Sequence, residues 1–133
     1  MAHLQNTKTL SVSIACPPDR VYAFASNPEN MPRWAIAFVH SVKKSGEEWF
    51  VETPIGSLRI RFVESNAFGV LDHYVRLTTG VEILNPMRVV PNGTGSEVLF
   101  TLFQSPEMSE QQFAEDADMV ARDLRTLKNV LEQ

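Results

Sequence analysis

Histidine is the residue type through which this sequence can do acid–base chemistry, and two of its three histidines sit inside apolar alternations. An imidazole titrates near neutral pH, so it can move a proton at a reacting carbon or hold a ligand hydroxyl. In Leu71, His73, Val75 and Leu77 the histidine shares a face with apolar residues, while Asp72, Tyr74, Arg76 and Thr78 fill the opposite face. Ile36, Phe38, His40 and Val42 carry a second histidine in the same way. His73 and His40 are the catalytic candidates, as general base or acid. The competing reading makes each a hydrogen-bonded wall or rim residue. Asp72 and His73 are sequence neighbours, so a regular strand turns them to opposite faces and they form no acid–base dyad. His3 lies in the N-terminal segment, outside any periodic stretch.

Other side chains fit the handling of a flat or apolar ligand. Asn85 falls in the alternation Val81, Ile83, Asn85, Met87 and Val89, where its amide can orient a carbonyl or phenol. Asn85-Pro86 also reads as a bulge or edge feature. Trp34 and Trp49 offer rings for stacking, against a packing role in the core. Leu58, Ile60 and Phe62 form a wholly apolar face, with Arg59 and Arg61 opposite. Arg88 reads as solvated or paired with a neighbouring-strand carboxylate such as Glu97, an anion clamp being the other reading. Cys16 has no basic neighbour in sequence to activate it. No Ser-His-Asp order, phosphate-cradling glycine loop or metal-ligand spacing is present. No metal and no cofactor are therefore expected.

These residues need elements to position them. Leu10, Val12 and Ile14 alternate with Thr9, Ser11 and Ser13, which predicts a strand over Thr7 to Ala15. Pro17-Pro18-Asp19 starts a short helix with Val21, Phe24 and Ala25 on its apolar face. A second short turn, Pro28 to Arg33, ends at Trp34. From Ala35 to Gln104 strand alternates with turn, the turns falling at Ser45-Gly46, Pro54-Ile55-Gly56, Ala67-Phe68-Gly69, Thr79-Gly80 and Asn92-Gly93. Five turns imply six strands, and the first strand makes seven. Glu110 to Leu131 is a long amphipathic helix, with Ser109 and Gln112 as a capping box. Its apolar stripe is Phe113, Ala117, Val120, Leu124, Leu127 and Leu131. A coiled coil is the alternative use of that stripe, but a helix behind so many strands is expected to cover a sheet.

Composition sets the outer limits. A length of 133 residues fits one domain over 1–133. The single cysteine excludes an internal disulfide framework. Twelve Lys and Arg against 16 Asp and Glu give a net charge of −4, a poor balance for gripping a phosphate backbone, so no nucleic-acid partner is expected. Without a signal-like N-terminus or an apolar run near 20 residues, no membrane insertion is expected and the cytoplasm is the default compartment.

In that order of elements, the sequence resembles the START-like, birch-pollen-allergen-like superfamily SRPBCC, and within it the polyketide cyclase/dehydrase group. The resemblance is carried by Val12-Ser13-Ile14, by Pro18-Asp19-Arg20-Val21-Tyr22-Ala23-Phe24, and by Asn27-Pro28-Glu29-Asn30-Met31-Pro32-Arg33-Trp34. Gly95-Ser96-Glu97-Val98, Phe100-Thr101-Leu102 and the helix from Asp118 to Leu131 complete it. It implies an α+β helix-grip fold, with a seven-stranded curved antiparallel sheet around the C-terminal helix, two short helices after the first strand, and a ligand cavity between sheet and helix. The residues expected to line that cavity are Trp34 at the close of the short helix pair, Phe38, His40, Trp49, Ile60, His73 and Asn85 from the strands, and Val120 and Leu124 from the helix.

Three functions follow as expectations. The first is binding of an apolar or aromatic small molecule, lipid- or polyketide-like, oriented by one or two histidines. The second is a cyclase or dehydratase using a cavity histidine as general acid or base. The third is a protein-interaction module like the heat-shock ATPase activators. A homodimer through an exposed sheet edge is compatible with each.

Overall fold

The computed structural model describes residues 2–133. Strand β1 (Thr7–Ile14) follows its sequence alternation: Leu10 and Val12 are half-buried, Ile14 is buried, and Thr9, Ser11 and Ser13 are exposed. Pro17 is extended and caps α1 (Pro18–Ala25), whose Val21 and Ala25 enter the core. A 3-10 turn (Pro28–Asn30) follows, its start fixed by Asn27 Oδ1 accepting from Glu29 N, and leads directly into α2 (Met31–Trp34). Asn30 Nδ2 donates to Phe24 O at 3.0 Å, tying the two short helices together.

Seven more strands follow: β2 (Ser41–Ser45), β3 (Glu48–Thr53), β4 (Gly56–Phe62), β5 (His73–Arg76), β6 (Glu82–Asn85), β7 (Met87–Asn92) and β8 (Gly95–Phe103). They form two antiparallel sheets, one in the order β2-β3-β4-β5-β6 and one in the order β1-β8-β7. The expected single seven-stranded sheet is thus corrected to eight strands in a five-stranded and a three-stranded sheet. Pro86 is the reason. It has no N–H for a ladder, so the run from Val81 to Val89 breaks into β6 and β7, which join different sheets. A seam replaces the lost continuity: Leu71 N donates to Met87 O at 2.8 Å and Val89 N to Gly69 O at 2.9 Å. Gly69 has φ +71°, and a Cβ there would lie 2.2 Å from Val89 O, so the close approach needs glycine.

The strand expected over Ile36 to Val42 is also shortened. Ala35 O accepts from both Phe38 N and Val39 N, so the chain still turns after α2 and extends only from Ser41.

Helix α3 (Glu110–Leu131) has the boundaries its periodicity implies, and Ser109 Oγ accepts from Gln112 N at 3.0 Å. Its 22 residues give a rod of about 33 Å. It packs on β1, β8 and α2. Lys128 Nζ donates to Ser13 O at 2.9 Å, and Glu132 Oε2 accepts from Ala15 N at 2.8 Å, latching its end to the end of β1. Leu124, Leu127 and Leu131 join residues of both sheets and of α1 and α2 in the buried interior. Among the described residues no helix is long and apolar enough to cross a membrane, and no group of three or more His, Cys, Asp or Glu is arranged to hold a metal ion.

Candidate functional site

His73 is the first residue of β5, opposite Phe62 of β4 and Asn85 of β6. Directly opposite residues in antiparallel strands share a face, so the three side chains form one row on the inner surface of the five-stranded sheet. The next inner rows are apolar across the middle of the sheet: Trp49, Ile60, Val75 and Ile83, with Lys44 opposite Trp49 on the edge strand, then Val42, Val51 and Leu58. His73 is 5% exposed. Its ring lies 4.9 Å from the Phe62 ring, tilted, and 5.7 Å from the Phe100 ring, edge to face.

Hydrogen bonding determines the state of this imidazole. Nδ1 lies 3.0 Å from Leu71 O. A carbonyl oxygen only accepts, so Nδ1 carries the proton and Nε2 presents a lone pair. Burial pushes the pKa of His73 down, against the opposing pull of the Leu71 carbonyl and the Asp72 charge, and the ring is neutral. Nε2 has no partner among the described residues. It is not sealed off either, since Trp34 Nε1 is the one fully buried side-chain nitrogen or oxygen left unpaired among them. The half-buried Asn85 amide likewise makes no hydrogen bond within the described residues. Two polar groups without a partner among the described residues therefore sit side by side on an apolar face.

The other expected site residues divide. Trp34, Ile60 and Leu124 are buried in the core at 4%, 3% and 2% exposure. Phe38, Trp49 and Val120 are half-buried and pack against that core, with Lys44 Nζ 5.4 Å above the Trp49 ring. His40 does not join His73. The turn through Ala35–Val39 leaves its side chain exposed at the start of β2, with only its backbone N held, by Glu52 O at 2.8 Å. The expected inner-face position of His40 is corrected accordingly.

Arg88 pairs with Asp72, not Glu97. Nε lies 3.0 Å from Oδ1 and a terminal nitrogen 2.9 Å from Oδ2, while Asp72 Oδ1 also accepts from Met87 N at 2.9 Å. The Arg88 bonds, chief among the causes, hold the Asp72 carboxyl below the usual carboxylate range. This clamp reinforces the seam between the sheets and occupies the arginine.

One titratable residue is absent from the sequence-derived set. Asp123 of α3 is 7% exposed, and its Oδ1 accepts from Ala37 N at 2.8 Å. Burial pushes its pKa up to about 6. The signal lay in the helix period: Asp123 is three residues after Val120 and four before Leu127, on the buried stripe. Asp116, two turns earlier, is half-buried and shifted up for the same reason.

A recess of about 600 Å³ lies elsewhere, at the corner of Ser13–Pro17, Gly95 and Ser96 beneath Lys128 and Glu132. Its polar groups satisfy one another: Ser96 Oγ donates to Cys16 O at 2.7 Å, and Lys128 and Glu132 form the helix latch. The unpartnered His73 and Asn85 groups, not this recess, are the candidates for contact with a ligand.

The fold is shared with solved structures of low sequence identity. The protein XoxI from Bacillus cereus superposes with a TM-score of 0.74 at 18% identity, over 94% of each chain. The Aha1 dimer from Colwellia psychrerythraea gives 0.74 at 14%, over 96% of each chain. A START superfamily protein from Mycobacterium smegmatis gives 0.68 at 12%, over 96% of this chain and 97% of that one. No curated protein sequence matches the chain. The family described as polyketide cyclase / dehydrase and lipid transport matches residues 6–132, which is nearly the whole sequence, and the chain belongs to that family.

Proposed function

We propose that the chain binds an apolar or aromatic small molecule between the inner face of the five-stranded sheet and α3, with His73 and Asn85 fixing its orientation. The observation that carries this reading is the pair of unpartnered polar groups, His73 Nε2 and the Asn85 amide, set on an apolar face beside Phe62 and Phe100. Small-molecule sites are mostly apolar with a few polar groups that set orientation. The rings of Phe62 and Phe100 flank His73, Phe100 buried and Phe62 half-buried against the core, so Phe62 is the ring a ligand would have to displace. Phe38, Trp49 and Val120 belong to the same lining in this reading, and Trp34, Ile60 and Leu124 support it from behind.

A cyclase- or dehydratase-type enzyme would use the same Nε2 lone pair as a general base. Burial weakens His73 as a base and Asn85 is its only polar neighbour in the row, so binding is the preferred function. The core shared by both sheets and α3 supports reading 1–133 as one domain. The cytoplasm suits its lone, unpaired Cys16. A homodimer would form along the edge strand β6, where Ile83 and Leu84 are exposed; light scattering reads its mass.

Native mass spectrometry and thermal-shift measurements with flavonoids, quinones, sterols and fatty acids test the binding function. A single ligand per chain that raises the melting temperature, and whose effect weakens in His73→Phe, is the expected result. Failure of every class to bind would overturn it.

A further inference from the structure

We infer that this site selects its ligand by a neutral hydrogen-bond donor, a hydroxyl or phenol aimed at His73 Nε2, and discriminates against the carboxylate of the same skeleton. The inference rests on the binding function proposed above and narrows it to a ligand chemistry.

Three observations combine. First, Leu71 O fixes the tautomer, so the inward nitrogen is an acceptor and only a donor can satisfy it. Second, no cation faces this row. Arg59, Arg61 and Arg76 lie on the opposite face, where Arg59 pairs with Glu48, and Arg61 with Glu82 while stacking on Tyr74. Arg88 is held by Asp72. Lys44, the inner-face cation, is exposed above Trp49, three strands from His73. Third, the charged residue that α3 buries is an acid, Asp123. An ionised carboxylate brought beside Phe62, His73 and Phe100 would lose water and gain no counter-charge, with the Asn85 amide alone as donor. A ligand lacking the hydroxyl would fill the same space and leave Nε2 unpaired, a loss of roughly tenfold to a hundredfold in affinity. The flanking rings favour a planar aromatic body for the hydroxyl's carrier.

A matched series tests this on the full chain at neutral pH: 2-naphthol, 2-methoxynaphthalene and 2-naphthoate, titrated by calorimetry. The expected order is naphthol tightest, the methyl ether weaker by roughly tenfold or more, and naphthoate weakest. In His73→Phe the preference for naphthol over its ether should collapse while ether binding persists. The Nε2 nitrogen-15 resonance of the wild-type chain should move on addition of naphthol and not of the ether. Equal affinities, or naphthoate binding tightest, would overturn the donor rule and leave the binding function standing. If none of the three binds, and none of the wider classes does, the binding function falls and the donor rule with it. The wild-type ranking decides the matter even where the variant does not fold.

Discussion

His73 was visible in the sequence because a period of two put it among Leu71, Val75 and Leu77, and that whole row is inward in the structure. Its proton was not visible. The tautomer depends on the carbonyl two residues back, whose direction is set by the bend entering β5, a tertiary property. Asp123 was overlooked for a different reason. Reading a helix stripe by its apolar members passes over a charged residue in the stripe, although three- and four-residue steps from Val120 and to Leu127 mark its place. Its burial has a testable consequence. Above about 6 the folded chain holds a carboxylate that the interior disfavours. Asp123→Asn keeps an oxygen for Ala37 N and removes that charge. The variant should melt about 3–5 °C higher than wild type near pH 7.5, with the gap closing toward about pH 4.5. Thermal denaturation followed by circular dichroism measures it; an equal or lower melting temperature at pH 7.5 would contradict the burial argument.

At the level of elements, β1, α1 and α3 were legible because each has a complete local signature: strict alternation, a proline start, and a capped three-four stripe. The short apolar alternation after Trp34 misled because four residues of period two look alike in a strand and in a turn that continues a helix. Pro86 was recognised as an edge signal, but its effect of moving the chain to another sheet follows from the Gly69–Val89 contact, which no local pattern encodes. Two glycines separate the effects at such bends. Gly80 has φ +92° with open space around it, so Gly80→Ala carries only the backbone penalty of about 1 kcal/mol. Gly69→Ala adds a clash with Val89 O and should lose at least about 2 kcal/mol, read from urea unfolding midpoints. Comparable losses in the two variants would mean that the seam relaxes around the new methyl. The clamp over the same seam is tested by Asp72→Ala, which strips partners from both Met87 N and Arg88. Its expected loss of about 1–3 kcal/mol should exceed that of Arg88→Met, since only the former leaves a part-buried backbone N–H without an acceptor.

For the whole molecule, the two buried ionisable groups pull stability in opposite directions as the solution is acidified. Burial holds the folded pKa of His73 below 6.5, so below pH 6.5 the unfolded chain takes up a proton that the folded one resists. That contribution lowers stability as pH falls. Asp123 has a folded pKa of about 6 against an ordinary 3.8, so between those values the folded chain holds a proton that the unfolded one lacks. That contribution raises stability as pH falls, and half-buried Asp116, also shifted up, adds to it with the same sign. Asp72, drawn below 3.8 chiefly by its Arg88 bonds, stays charged down to that pH and takes no part above it. The wild-type chain should therefore show a shallow stability profile between about pH 7 and pH 4.5, the sum of opposing slopes. Substitution separates them. His73→Phe leaves the acidic residues alone and should melt progressively higher on acidification; Asp123→Asn leaves His73 dominant and should melt lower. The double variant should return to a shallow profile. Melting curves for the four proteins across that range decide it, because parallel profiles for the two single variants would mean that neither burial governs the acid response. The same neutral His73 that makes the fold sensitive to acid is what gives the proposed site its lone pair, so naphthol binding should persist where stability first turns down in Asp123→Asn and weaken only at the lower pH where that decline levels off and the folded ring takes up its proton.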